Sequence, residues 1–282
     1  MKKDFKISDG VLYVNDGVTE LADQQFAERG DFRKLVLPDS LRIMGTEVFS
    51  CCGELEEVIL PGSLKFISIA AFAYCPSLVK LKLPSALESI GEGAFLECEN
   101  YHDFTLPDGL TEICDMAFWG TGVEKVYVPK SVRRIGDSAF WSCENLRHVD
   151  VQGADTVICS DAFGSCYNLA EGYIAPGFPD DSSSAAELLY SLLWCTCPEK
   201  HGEKTAERAR RFIEKEEGLI MECVFRQSNI AALTTLSKYR LLKKENIDSY
   251  IRKTNDAENT QMTALLLNAK GADRFDEGEF EL

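Results

Sequence analysis

Residues 60–84 read LPGSLKFISIAAFAYCPSLVKLKLP, and the pattern returns at 83–107 as LPSALESIGEGAFLECENYHDFTLP and at 128–152 as VPKSVRRIGDSAFWSCENLRHVDVQ. Phenylalanine keeps the beat at Phe26, Phe49, Phe72, Phe95, Phe118, Phe140 and Phe163, at intervals of 23, 23, 23, 23, 22 and 23 residues. Proline keeps the same beat at Pro38, Pro61, Pro84, Pro107 and Pro129. A fixed period of this length marks a stacked-repeat architecture, in which each unit touches only its neighbours.

Each unit carries the same physical design. Leu78, Leu81 and Leu83 give a short strand with its apolar side chains turned into the coil. Proline then ends the strand, because it lacks the N–H that a ladder needs. The return stretch brings in Leu64, Ile67, Ala71 and Phe72. No single unit can bury this set, so neighbours must stack at about 4.8 Å to close a core. The unit around Gly120–Gly122 is one residue shorter and leaves the phase intact. The expected fold class is α+β: a right-handed solenoid of about seven 22–23-residue units with short β-strands, followed by an α-helical segment.

The boundaries follow from composition. Residues 1–14 are expected to form an N-terminal hairpin cap with an Asp9-Gly10 turn, placing Phe5, Ile7, Leu12 and Val14 on the first unit. Such a cover is needed because an open solenoid end is an exposed apolar edge. The solenoid takes residues 15–177, a breaker-rich linker takes 178–184, and a helical segment with an acidic tail takes 185–282. Within that segment, Ser182–Ser184 can cap a helix running through Leu193, and Thr205–Glu216 reads as a charged amphipathic helix. Ile247, Tyr250 and Ile251, then Met262, Leu265, Leu266 and Ala269, follow i, i+3, i+4 spacing. RFDEGEFEL at the end reads as a frayed acidic tail.

Written as LPxxLxxIxxxAFxxCxxLxxVxLP, the repeat resembles the BspA-like class of bacterial leucine-rich repeats over residues 15–175. That resemblance implies a solenoid used in protein recognition and adhesion, often at the cell surface. Residues 241–270, LLKKENIDSYIRKTNDAENTQMTALLLNAK, resemble an ankyrin-like helix pair.

A formal net charge of −16 argues against nucleic acid and against anionic lipid as partners. No run reaches the roughly 18 apolar residues of a membrane span, so no membrane insertion is expected. Asp4, Ser8, Asp9 and Gly10 stand where a signal peptide needs an apolar run. Eleven cysteines, an odd number, fit reduced thiols better than a secreted disulfide framework. The expected location is cytoplasmic, or cell surface or secreted if an upstream leader has been removed.

Chemistry is sparse. Cys52, Cys75, Cys98, Cys143 and Cys166 share one repeat position, three residues after the phenylalanine, with Thr121 in the short unit. Metal ligands must converge on a point, whereas a column of parallel side chains makes a line. Neighbouring column positions fall within disulfide range, so a thiol column and bridged pairs both stay open, the thiol column being expected. Cys114 and Cys159 share a second position where other units carry small residues. Cys195 and Cys197 have no second pair nearby. Three histidines, His102, His148 and His201, accompany no nucleophile at a readable spacing, and no phosphate-binding loop is present. No enzymatic activity, metal or cofactor is expected. The alternative is an effector or enzyme acting through the helical segment, with Cys195 or Cys223 as nucleophile.

Two columns of strand side chains face away from the core. One holds Lys34, Glu57, Lys80, Asp103, Lys125, His148 and Glu171, whose signs nearly alternate and can pair across a ladder. The next holds Val36, Ile59, Lys82, Thr105, Tyr127, Asp150 and Tyr173. Either these columns are self-compensating surface, or they form a face for a protein partner, with Tyr127 and Tyr173 as anchors among Ile59, Lys82, His148 and Asp150. Trp119 and Trp141 follow the repeat phenylalanine in adjacent units, where other units carry Ser50, Ala73, Leu96 and Gly164. They should sit side by side on the outer turn, either under the C-terminal helices or at a partner interface. The expected function is protein–protein recognition in the cytoplasm, with an exported adhesin as the alternative.

Overall fold

The computed structural model describes residues 4–153, 155–159, 161–166, 168–169, 171–174, 203–226 and 228–276. The chain divides into two compact units, residues 1–186 and 187–282. The expected helix after Ser182–Ser184, the linker, Cys195, Cys197 and His201 lie outside the described residues.

The first unit opens with an antiparallel hairpin, β1 (Phe5–Ser8) against β2 (Val11–Val14). Asp9 and Gly10 have φ of 52° and 73°, the left-handed pair that a two-residue hairpin turn requires. Phe5 meets the Phe26 ring edge-on at 5.0 Å, and Leu12 and Val14 are buried. The hairpin does more than cover the end. β2 also pairs in parallel with β3 (Lys34–Val36), making it the first rung of the solenoid.

From β3 the row continues through β4 (Glu57–Ile59) to β6 (Lys80–Leu81). It resumes at β9 (Lys125–Val128), pairing with β11 (His148–Val151), which pairs with β13 (Glu171–Ile174). A second parallel row forms on the return stretches: β5 (Phe66–Ile67), β7 (Ser89–Ile90), β8 (Glu112–Ile113), β10 (Arg134–Ile135) and β12 (Val157–Ile158). The sequence pattern marked the core residues of this return row but not its pairing.

Between the rows lies one continuous core. The seven phenylalanine rings stack with centroids 5.1–5.7 Å apart and planes within 11° of parallel. Each amide from Phe26 to Phe140 donates to the carbonyl just before the next phenylalanine, as in Phe95 N to Ala117 O at 2.8 Å. The turn around each ring needs two left-handed residues, two before and two after the phenylalanine. Gln24, Glu47, Ala70, Gly93, Met116, Ser138 and Asp161 fill the first position, and Glu28, Cys51, Tyr74, Glu97, Gly120, Ser142 and Ser165 the second, all with φ between 49° and 68°. Left-handed backbone costs a non-glycine residue about 1–2 kcal/mol. Cross-unit amide bonds hold it in place, such as Glu28 N to Ser50 O at 2.8 Å. In the shortened unit glycine is required, because a Cβ at Gly122 would fall 2.2 Å from Glu99 O.

The second unit is helical: α1 (Glu203–Arg226), α2 (Ile230–Lys238), α3 (Lys244–Asp256) and α4 (Thr260–Asp276) among the described residues. α1 runs ten residues past the end expected at Glu216, with a non-helical break there (φ −116°, ψ 32°). The extension buries Ile220, Met221 and Val224 against Leu233, Leu236, Ile247, Met262 and Leu266. α4 enters the segment expected to fray and remains helical to Asp276. Asn229 and Asn259 cap α2 and α4, accepting from Ala232 N at 2.9 Å and Met262 N at 3.1 Å. α3 is capped from elsewhere. The buried Glu217 carboxylate accepts from Lys243 N at 2.9 Å and Asn246 Nδ2 at 2.8 Å. A negative charge at a helix N-terminus is favoured by the peptide dipoles. Burial and that carboxylate push the Tyr250 hydroxyl up to about 12.

Candidate functional site

The strand row turns its polar side chains away from the core, so the face is set by which residues alternate out. On the β9–β11–β13 sheet these are Lys125 and Tyr127, then His148 and Asp150, with Glu171 and Tyr173 in register beyond them. Tyr127 is 55% exposed, and its ring lies 5.3 Å from the His148 ring. His148 Nε2 lies 3.1 Å from Asp150 Oδ1. Tyr127, His148, Asp150 and the backbone of Tyr173 therefore share one short sheet. Ile59 ends β4 and Lys82 directly follows β6, in the other sheet of the same row beyond the fourth unit, and both line a cleft there.

That cleft is the feature the sequence pattern did not announce. The strand expected in every unit is missing at Asp103–Thr105, so the ladder stops at β6 and restarts at β9. Tyr101 and Phe104 fill core positions that hold leucine, valine or isoleucine-sized chains in neighbouring units. Tyr101 is fully buried, and its hydroxyl donates to Leu81 O at 3.0 Å. Phe104 stacks on Phe118 at 4.6 Å. The two rings draw this segment out of register, leaving a cleft of about 1040 Å³ lined by Ile59, Lys80, Lys82, Asp103, Thr105 and Asp108 among others. Two aromatics replacing two aliphatics in one unit was the available signal.

The break also limits charge pairing along the first column. Lys34 and Glu57 pair at 2.8 Å, as alternation of sign predicts. Lys80, Asp103 and Lys125 do not pair, because the segment carrying Asp103 has left the ladder.

Trp119 and Trp141 sit on the outer turn with ring centroids 5.6 Å apart, both half-buried. The row continues onto Gly164, where a Cβ would lie 2.3 Å from Trp141 Cε3. Glycine at that position of the last unit is what lets the second indole lie flat along the coil.

The cysteine column has a role that spacing did not reveal. Cys52, Cys75, Cys98, Cys143 and Cys166 each donate to the carbonyl of the preceding unit's phenylalanine, at 3.0–3.2 Å. Thr121, in the same column, donates instead to Phe118 O of its own unit at 2.9 Å. Burial pushes the Cys52 thiol up to about 11 and the Cys98 thiol up to about 12, and raises Cys75 and Cys166 as well. Such thiols are poor nucleophiles and poor metal ligands. Among the described residues, no three His, Cys, Asp or Glu side chains gather as a metal site would require, and no helix is long and apolar enough to cross a membrane.

A coil of 22–23-residue units with a parallel strand row and a stacked phenylalanine ladder defines a leucine-rich-repeat protein. The chain belongs to the BspA-type leucine-rich-repeat family, whose model matches six copies over residues 11–120 and 65–180. A leucine-rich repeat protein from Bacteroides ovatus is similar in structure, with a TM-score of 0.53 and 28% identity over 55% of this chain and 41% of that one. The likeness thus spans about two-fifths of that protein's length. Looser fold likenesses, each with a TM-score of 0.42, reach the T. pallidum leucine-rich repeat protein, at 23% identity over 64% of this chain and 81% of that one. A leucine rich cell surface protein from Faecalibacterium prausnitzii gives the same TM-score of 0.42, at 22% identity over 64% of this chain and 63% of that one. No curated protein matches the chain.

Proposed function

We propose that the chain is a non-enzymatic protein-recognition scaffold and that its strand face is the binding surface. One observation carries this reading: Tyr127, exposed and beside the His148 ring, shares a sheet with Asp150 and Tyr173. Aromatic side chains on a rigid sheet are ordered before a partner arrives, so little conformational entropy is lost on association. Membership in a leucine-rich-repeat family supports a protein-interaction scaffold as the general role. The hydrogen-bonded, protonated thiols support a reducing compartment.

The test is a pull-down from the native cell with wild type beside a Tyr127→Ala, Tyr173→Ala double variant. A partner captured by the first and lost by the second, with the melting temperature unchanged, is the expected outcome. Identical capture by both proteins would remove this face from the binding surface. Cell fractionation with an antibody to the native protein decides the compartment.

A further inference from the structure

Trp119 and Trp141 stand where the recurring turn asks for nothing large. The equivalent residues are Ala27, Ser50 and Ala73 on the turns around Phe26, Phe49 and Phe72, so the packed coil does not need an indole there. Both rings are half-exposed and lie side by side, with centroids 5.6 Å apart. Leu96, half-exposed in the same column of the preceding unit, continues the apolar strip. Two glycines bring the neighbouring turns against it. A Cβ at Gly120 would lie 2.8 Å from Glu97 Oε2, so the Glu97 carboxylate rests on the turn that carries Trp119. A Cβ at Gly164 would lie 2.3 Å from Trp141 Cε3, so the Trp141 ring reaches the turn that carries the exposed Asp161. Glu97 and Asp161 thus bracket the two indoles along the coil, on turns three unit spacings, or about 14 Å, apart.

The charge on this face has one sign. Residues 92–99, 115–121, 137–144 and 161–166, the turns around Phe95, Phe118, Phe140 and Phe163, hold seven carboxylates and no lysine or arginine. The matching turns at 23–30, 46–53 and 69–76, which lack the indoles, hold three carboxylates and Arg29. Arg134, from the return row, reaches Asp115 at 2.7 Å. Glu92, Glu97, Glu99, Asp137, Glu144 and Asp161 have no ion-pair partner within 4.0 Å among the described residues. An apolar strip flanked by unpaired carboxylates complements arginine and lysine, whose stems pack on apolar surface while their charged heads stay at the polar rim. Nucleic acid and anionic lipid are repelled by the same carboxylates, which leaves a protein segment as the source of the cations. We propose that this turn face takes a basic segment of a partner protein. The aliphatic stems of its lysine or arginine residues pack on Trp119 and Trp141, and their heads meet Glu97 and Asp161. The proposal rests on the protein-recognition reading above but adds a second face, so either face can fail alone.

The experiment pans displayed random peptides against the full chain at about 0.15 M ionic strength, where long-range attraction is screened. An enriched peptide is synthesised and measured by fluorescence anisotropy. Enriched sequences should carry at least two lysine or arginine residues. Trp119→Ala with Trp141→Ala, and separately Glu97→Gln with Asp161→Asn, should each weaken binding by about tenfold or more. Glu54→Gln with Glu56→Gln removes the same charge from exposed positions elsewhere on the solenoid and should change binding less than about twofold. Circular-dichroism melting checks that each variant folds, and the charge pair carries the test if the tryptophan pair does not. No basic enrichment, or equal losses in the two charge variants, would overturn the turn-face proposal. Peptides that lose affinity only with Tyr127→Ala or His148→Ala would overturn it too, while leaving protein recognition by the strand face standing.

Discussion

On the turn side of the solenoid the phenylalanine rings stack from Phe26 to Phe163 without a gap, whereas on the strand side the ladder stops at Leu81 and resumes at Lys125. Both sides belong to the same units and the same core. They differ in how many independent interactions enforce the repeat. Each turn is held by a stacked ring, a cross-unit amide bond and, in most units, a thiol donating to the phenylalanine carbonyl. Each strand is two to four residues long with one side chain row free to vary. Departures therefore accumulate where fewer interactions resist them, and the strand side is where a binding surface can diverge without unfolding the coil.

The largest effect should come from breaking the turn side. Phe95→Ala removes a fully buried ring stacked between Phe72 and Phe118, at 5.7 and 5.3 Å. A loss of about 3–5 kcal/mol is expected in denaturant titration. A change under about 1 kcal/mol would show that the stack carries little of the stability.

The thiols sharpen the same side by pH. Their folded pKa values are raised, to about 11 for Cys52 and about 12 for Cys98, above the unfolded value near 8.5. The stability this contributes is fully present below about pH 8.5 and is lost as pH rises through the folded values. The melting temperature should fall between about pH 8.5 and 11, and the slope should be shallower in a Cys52→Ala, Cys98→Ala variant. Equal slopes in the two proteins would assign the alkaline loss to other groups.

Tyr101→Phe tests the strand side. It removes the hydroxyl that satisfies Leu81 O and should cost about 1–2 kcal/mol, less than the ring deletion on the turn. Replacing both aromatics, Tyr101→Leu with Phe104→Val, should instead let residues 103–105 rejoin the ladder. Hydrogen exchange of those amides should slow relative to wild type; unchanged exchange would mean that the two rings do not cause the break.

The smallest effect concerns backbone strain. Ser138 has φ 55° in the turn preceding Phe140. Ser138→Gly relieves left-handed strain while adding chain entropy to the unfolded state, for a net gain of about 0.5 kcal/mol. Measured destabilisation would show that the serine side chain contributes more than its backbone costs.

The sequence by itself determined the period, the seven buried phenylalanines, the Asp9-Gly10 hairpin and the apolar faces of α3 and α4. These follow from spacing, because burial demands apolar residues at fixed intervals and turn geometry demands particular residue types. It also gave Tyr127, Asp150 and Tyr173 one register across neighbouring strands, with His148 two residues before Asp150, since parallel strands in register align equal repeat positions. Only the tertiary structure decided that the cysteines donate to phenylalanine carbonyls, because a donor's partner lies 25 or 26 residues away and depends on the packed turn. It alone decided that α1 continues beyond Glu216, with burial of Ile220, Met221 and Val224 holding helix past a local break. The cleft at Asp103 belongs to the same class. Tyr101 and Phe104 are apolar enough to satisfy the pattern, and only their volume, felt when neighbouring units close on them, takes the strand out of the ladder.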